Sequence, residues 1–97
     1  MNETQDLIKS GATIIDVRSR EEFEQGHVTS SLNIPLNEVV ARIDEFKSIK
    51  QPFLVCCLSG GRSAQATEYF QSMEIKCVNA GGWQQLQGWL SDPSELG

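Results

Sequence analysis

The sequence predicts an α/β fold, a small, mainly parallel sheet of four to five strands flanked by helices on both faces. Three observations predict it. Short runs rich in β-branched residues alternate with segments whose apolar residues recur at helical spacing. One run, Phe53-Leu54-Val55-Cys56-Cys57, is apolar without a break, as a strand covered on both faces should be. The pitch of the alternation suits right-handed crossovers, and 97 residues without an internal repeat or linker read as one domain, residues 1–97.

The elements follow in order. Thr4 or Asn2 is placed to cap a short helix that runs through Lys9 and stops at Gly11. Thr13 to Val17 is a β-branched strand. Ser19 caps a helix from Arg20 to Gln25, with Glu21 and Glu22 at the positive end of its dipole and Gly26 as its stop. Leu32 to Leu36 is a brief strand that Pro35 confines to an edge or ends. Asn37 is expected to cap a helix presenting Val39, Val40, Ile43 and Phe46 on one face. Phe53 to Cys57 is the sheet centre. Ser63 is expected to cap the next helix, in which Ala66, Tyr69, Phe70 and Met73 recur at i, i+3, i+4 and i+7. Ile75 to Val78 reads as a strand and Asn79-Ala80-Gly81-Gly82 as a turn. A last helix then carries Trp83, Leu86, Trp89 and Leu90 and ends near Asp92-Pro93.

Charge narrows the function. Eight basic against 13 acidic residues leave a net charge of -5, which argues against nucleic acid or an anionic membrane as a partner of the whole surface. The start MNETQDLIKS lacks a basic segment followed by an apolar one, and no apolar run approaches a membrane span. A soluble, cytoplasmic protein is expected. Three cysteines and a single histidine supply neither a disulfide framework nor a four-ligand zinc set, so reduced thiols and no metal are expected.

The stretch CCLSGGRS, residues 56–63, concentrates the chemistry. In an open parallel sheet, ligands bind beyond the carboxyl ends of the strands, and Cys57 ends the central one. Leu58-Ser59-Gly60-Gly61 includes two glycines able to turn successive backbone N–H groups inward as an anion-binding nest. Arg62 adds a fixed positive charge, and Ser63 opens a helix whose first amides are free donors. A thiolate in such a cradle is stabilised and nucleophilic. Cys56, by strand alternation, faces the opposite way into the helix layer, and Cys77 on the next strand is expected to be buried packing as well.

Cys57-Leu58-Ser59-Gly60-Gly61-Arg62-Ser63 resembles the active-site loop of rhodanese domains, which commonly reads Cys-x-Ser-Gly-x-Arg-Ser. Upstream, Ile15-Asp16-Val17-Arg18, Glu22-Phe23, Gly26-His27-Val28 and Leu32-Asn33-Ile34-Pro35-Leu36 resemble a second motif of that family. Asn79-Ala80-Gly81-Gly82-Trp83 with Trp89 is similar to its closing helix. The resemblance implies a parallel sheet wrapped by helices and a Cys57 persulfide that carries sulfane sulfur from a donor to an acceptor without a cofactor. Thiosulfate, a persulfide on a partner protein, glutathione persulfide and mercaptopyruvate are the candidate donors; cyanide or a thiol is the acceptor. Leu58 stands where many relatives carry a polar residue, which predicts a more apolar rim.

The other polar residues are assigned supporting roles. Asp16 and Arg18 are expected to orient loops near the site through hydrogen bonds and a salt bridge, and His27 to make a structural hydrogen bond. Trp83 and Trp89 are expected to pack the last helix, and Glu21, Glu22 and Glu24 to form a solvated face. Three other functions compete. A cysteine-dependent phosphatase or arsenate reductase of related fold resembles Cys-x5-Arg, whereas four residues separate Cys57 from Arg62 here. A non-catalytic interaction module is the second. A vicinal redox pair of Cys56 and Cys57 is the third, and neighbour strain disfavours it.

Overall fold

The computed structural model describes residues 3–91. Its strands are β1 (Ile14–Asp16), β2 (Leu32–Asn33), β3 (Phe53–Cys57) and β4 (Cys77–Gly82), and its helices are α1 (Glu3–Lys9), α2 (Arg20–Glu24), α3 (Ile43–Lys47), α4 (Gly61–Ser72) and α5 (Trp83–Ser91). Among the described residues the four strands pair in parallel in the order β2, β1, β3, β4, the α/β arrangement expected. Chain leaving β1 goes to β2 on one side, and chain leaving β3 goes to β4 on the other. The crevice between these diverging connections, at the carboxyl ends of β1 and β3, is where open sheets of this kind hold ligands.

Every residue of β3 is buried, in agreement with its unbroken apolar run. Alternation splits it between two cores. Phe53, Val55 and Cys57 join Ile15, Val17, Phe46, Ala66 and Phe70 on the face covered by α3 and α4. The Phe46 and Phe70 rings lie 4.4 Å apart, and Phe53 meets Phe70 edge-on at 5.4 Å. Leu54 and Cys56 join Ile8, Ile14, Val28, Ala80 and Leu86 on the face covered by α1 and α5. Cys56 and Cys57 therefore point into different layers. Among the described residues, no helix is long and apolar enough to cross a membrane.

Several boundaries differ from the sequence reading. Thr4 lies inside α1 and is buried, so it does not cap that helix; Asn2, Asp92 and Pro93 lie outside the described residues. The helix expected from Asn37 is broken into a 3-10 turn at Leu36–Glu38, with Asn37 inside it, and the short α3. The break changes the phase of the apolar face, which leaves Val40 exposed at 64% while Val39 and Phe46 are buried. β4 begins two residues later than expected and runs through Asn79-Ala80-Gly81-Gly82. The register passes from Val55↔Asn79 to Cys56↔Gly81, so Ala80 is the extra residue of a bulge. Pairing with β3 outweighs the local turn preference of this segment. Met73, expected on the buried face of α4, closes that helix at 40% exposure.

Candidate active site

The site is built at the end of β3. Gly60 takes a φ of 103°, a left-handed conformation natural to glycine, and turns the chain sharply enough for α4 to start at Gly61. Ser63 is consequently not the cap, as the sequence suggested, but the third residue of the helix. Its free first-turn amide points back at the cysteine. The Gly60 N–H donates to Cys57 Sγ at 3.0 Å and the Ser63 N–H at 3.4 Å. The Ser63 hydroxyl is also 3.4 Å from that sulfur. Cys57, Gly60 and Ser63 thus meet around one atom, which is 1% exposed as a residue.

Electrostatics separates the three thiols. Burial pushes Cys57 up, but the Ser63 hydroxyl and the amides of Ser63, Gly60 and Ser59 outweigh it and bring the thiol below its ordinary value. Burial pushes Cys56, which has no such donors, up to about 12, and Cys77, against one hydrogen bond from Thr67, up to about 11. All three are free thiols. Only Cys57 combines a donor ring with a lowered pKa, the combination that favours the nucleophilic thiolate over the thiol.

Two residues complete the cradle that the sequence did not single out for it. Asn79 Oδ1 accepts from the Ser63 hydroxyl at 2.6 Å and from the Gly81 N–H at 3.0 Å, and its Nδ2 donates to Gly60 O at 3.3 Å. It holds the loop and the helix start in one grip. Gly82 lies beneath the loop, where a Cβ would meet the Leu58 carbonyl oxygen at 2.9 Å. Leu58 itself is 56% exposed, an apolar rim as expected.

Asp16 and Arg18 behave as the expected brace. Arg18 Nε and Nη2 donate to both Asp16 carboxylate oxygens at 2.8 to 3.0 Å, and the pair is buried. Arg18 also donates to Gly26 O and Glu22 O and lies 4.6 Å over the Trp83 ring, which ties the end of β1 to α2 and α5. His27 Nδ1 lies 2.7 Å from Phe23 O with its ring stacked on Phe23, the structural role anticipated.

Glu22 departs from the solvated face assigned to it. With Ser19 it forms a capping box on α2, the one trace of this role visible in the Ser-x-x-Glu spacing. Its two oxygens also take Arg62 Nη1 at 2.7 Å and Nη2 at 3.0 Å. The Arg62 guanidinium accordingly holds the Glu22 carboxyl down to about 2. Arg62, the fixed positive charge of the loop, is tied to α2 through this carboxylate.

A model of the rhodanese-like domain family matches residues 1–88. The chain is similar to thiosulfate sulfurtransferase PspE of Escherichia coli (strain K12), 42% identical over 74 residues that cover 70% of this chain and 67% of PspE. It is also similar to the uncharacterized protein YqhL of Bacillus subtilis (strain 168), 36% identical over 72 residues. That match covers 72% of this chain but only 57% of YqhL. Among solved structures, a rhodanese with anions from E. coli aligns with a TM-score of 0.68 at 37% identity, covering 75% of this chain and 88% of that one.

Proposed function

Since the chain belongs to the rhodanese-like domain family, we propose that it is a sulfurtransferase, and that residues 1–97 act as a single domain of that kind. Cys57 is the catalytic nucleophile; Leu58, Ser59, Gly60, Gly61, Arg62 and Ser63 form the loop around the transferred sulfur; Asp16 and Arg18 support it. The observation that carries this reading is the convergence of the Gly60 amide, the Ser63 amide and the Ser63 hydroxyl on Cys57 Sγ. Such a cradle stabilises a thiolate, and the same donors suit the anionic outer sulfur of a persulfide. The near-complete burial of Cys57 favours a reacting group no wider than a sulfur atom at the tip of its donor.

The transfer takes two steps. Cys57 thiolate attacks the outer sulfur of a donor such as thiosulfate; the donor S–S bond breaks, sulfite leaves with its electron pair, and Cys57–S–S⁻ remains. A thiolate or cyanide then attacks the outer sulfur, the electron pair of the persulfide bond returns to Cys57, and a new persulfide or thiocyanate departs. Covalent catalysis of this form gives ping-pong kinetics. The name of PspE supports thiosulfate as a donor, and a protein persulfide is an alternative one. Three free thiols fit a reducing compartment, so we place the activity in the cytoplasm.

Intact-mass spectrometry after incubation with thiosulfate tests the reading. The expected result is a gain of one sulfur, roughly 32 Da, on the peptide containing Cys57, absent from Cys57→Ser and removed by cyanide. A wild-type protein that keeps its mass under non-reducing conditions with every sulfane donor would instead indicate an interaction module. Turnover of an aryl phosphate that depends on Cys57 would indicate a phosphatase.

A further inference from the structure

Arg62 is the only cation of the Cys57–Ser63 loop, and both of its terminal nitrogens are taken by Glu22. The other arginines are no freer. Arg18 is held by Asp16, Arg20 by Glu38, and Arg42 by Glu38 and Glu45, so all four arginines of the chain are matched to carboxylates. No lysine occurs in the segments 16–26, 57–63 and 79–84 that surround the loop. These segments hold three cations, Arg18, Arg20 and Arg62, and each is paired with a carboxylate.

Two clefts flank the Glu22–Arg62 pair. The one beside Leu58, of about 390 Å³, is lined by Arg18, Glu22, Gly26 and Trp83 among others. The other, of about 300 Å³, is lined by Arg62 with Val17, Ser19, Pro35, Leu36 and Asn37. A donor that enters next to Leu58, the residue following Cys57, therefore meets the carboxylate of the pair rather than its guanidinium. A dianion there must either displace Glu22 from Arg62, which leaves a carboxylate beside it, or bind on the loop amides with the carboxylate side of an already neutral ion pair facing it. A singly charged donor is repelled about half as strongly and needs only the amides.

We infer that Glu22 is the residue that sets the charge of the sulfur donor: by neutralising Arg62 and lining the entry cleft, it selects singly charged sulfane donors over dianionic ones. The inference rests on the sulfur-transfer reading of the site and adds its substrate class. It makes thiosulfate a competent but poorly held donor, and a monoanionic persulfide or thiosulfonate a better matched one. For either class the step balances in the same way. The Cys57 thiolate takes the outer sulfur, and sulfite, a thiolate or a sulfinate leaves with the electron pair of the broken S–S bond.

Glu22→Gln is the informative variant. The glutamine oxygen can still accept from the Ser19 N–H as Glu22 Oε1 does at 3.3 Å, so the cap of α2 is retained while the charge is removed. The probes are thiosulfate, a dianion, and methanethiosulfonate anion, a monoanion with the same sulfane–sulfonyl linkage. Binding of both is measured by calorimetry on Cys57→Ser protein, which cannot react, with and without Glu22→Gln. Glu24→Gln, an exposed neighbour on the same helix, controls for the change in net charge.

The expected result is that Glu22→Gln tightens thiosulfate binding about three- to tenfold more than methanethiosulfonate binding, as one extra donor charge near a partly exposed site implies. Glu24→Gln leaves both unchanged. With Cys57 intact, Glu22→Gln lowers KM for thiosulfate in that proportion while kcat stays within about twofold. Equal effects on the two anions, the same gain from Glu24→Gln, or weaker thiosulfate binding would overturn the inference. If the anions respond as expected but no persulfide forms on wild-type Cys57, the charge filter stands and the sulfur-transfer reading falls.

Discussion

The hydroxyl of Ser63 has one proton and three acceptors within reach: Asn79 Oδ1 at 2.6 Å, Gly60 O at 3.2 Å and Cys57 Sγ at 3.4 Å. The shortest contact shows where the proton rests while Cys57 is a thiol. Ionisation of Cys57 recruits it to sulfur at the expense of Asn79, which keeps its bond from the Gly81 N–H. A hydrogen bond to a charged group contributes about 1.5 to 3 kcal/mol, and the surrendered bond to Asn79 takes back roughly half, leaving a net of about 1 kcal/mol. Ser63→Ala should therefore reduce the thiolate fraction of Cys57 below its midpoint about fivefold and move that midpoint to higher pH. The assay is the ultraviolet absorbance of thiolate as pH is raised, taken as the difference from Cys57→Ser. Cys56 and Cys77 do not interfere, because burial pushes them up to about 12 and 11. A midpoint unmoved in Ser63→Ala would refute the argument and assign the thiolate to the backbone amides of Ser63, Gly60 and Ser59 alone. A midpoint that fell would mean that the hydroxyl serves the thiol form, accepting S–H.

Gly82→Ala places a Cβ 2.9 Å from the Leu58 carbonyl oxygen, so the loop must shift; sulfur loading of Cys57, followed by mass spectrometry, should slow about tenfold, with a stability loss of about 1 to 3 kcal/mol. Cys56→Ser puts a hydroxyl among Ile8, Ile14, Leu54 and Leu86 and should cost about 1 to 3 kcal/mol in a denaturant melt while Cys57 still loads sulfur. Loss of loading in a folded Cys56→Ser protein would revive a vicinal thiol pair. The Glu22 carboxyl, held by Arg62 at about 2 against an ordinary 4.5, binds its proton more weakly folded than unfolded. Its contribution to stability is complete above pH 4.5 and is lost as pH falls toward 2. The gap in Tm between wild type and Glu22→Gln should shrink over that interval in melts taken at neutral and acid pH, and a gap that widens there contradicts the ion pair.

What was legible in the sequence was what is settled within one element or one turn. The apolar run of β3 announces its burial on both faces, and the CLSGGRS stretch carries in its own glycines the turn that brings two amides back to Cys57. Where a partner strand decides, local reading fails. Asn79-Ala80-Gly81-Gly82 has the composition of a turn, yet alignment against Val55, Cys56 and Cys57 draws it out into β4, and only in that extended form can Asn79 reach Ser63. The Gly60 turn likewise moves the helix start, which changes Ser63 from a cap into a donor whose amide and hydroxyl both face sulfur. Glu22 is the extreme case, because its partner Arg62 lies 40 residues away and nothing in the spacing of either residue announces the other. The identity of the nucleophile is thus a local property of the chain, whereas the charge that an incoming donor meets is a tertiary one. Two chains could share the same cysteine loop and differ in donor through a single carboxylate on α2, and an exchange at position 22 alone should therefore change donor preference while leaving the Cys57 thiolate in place.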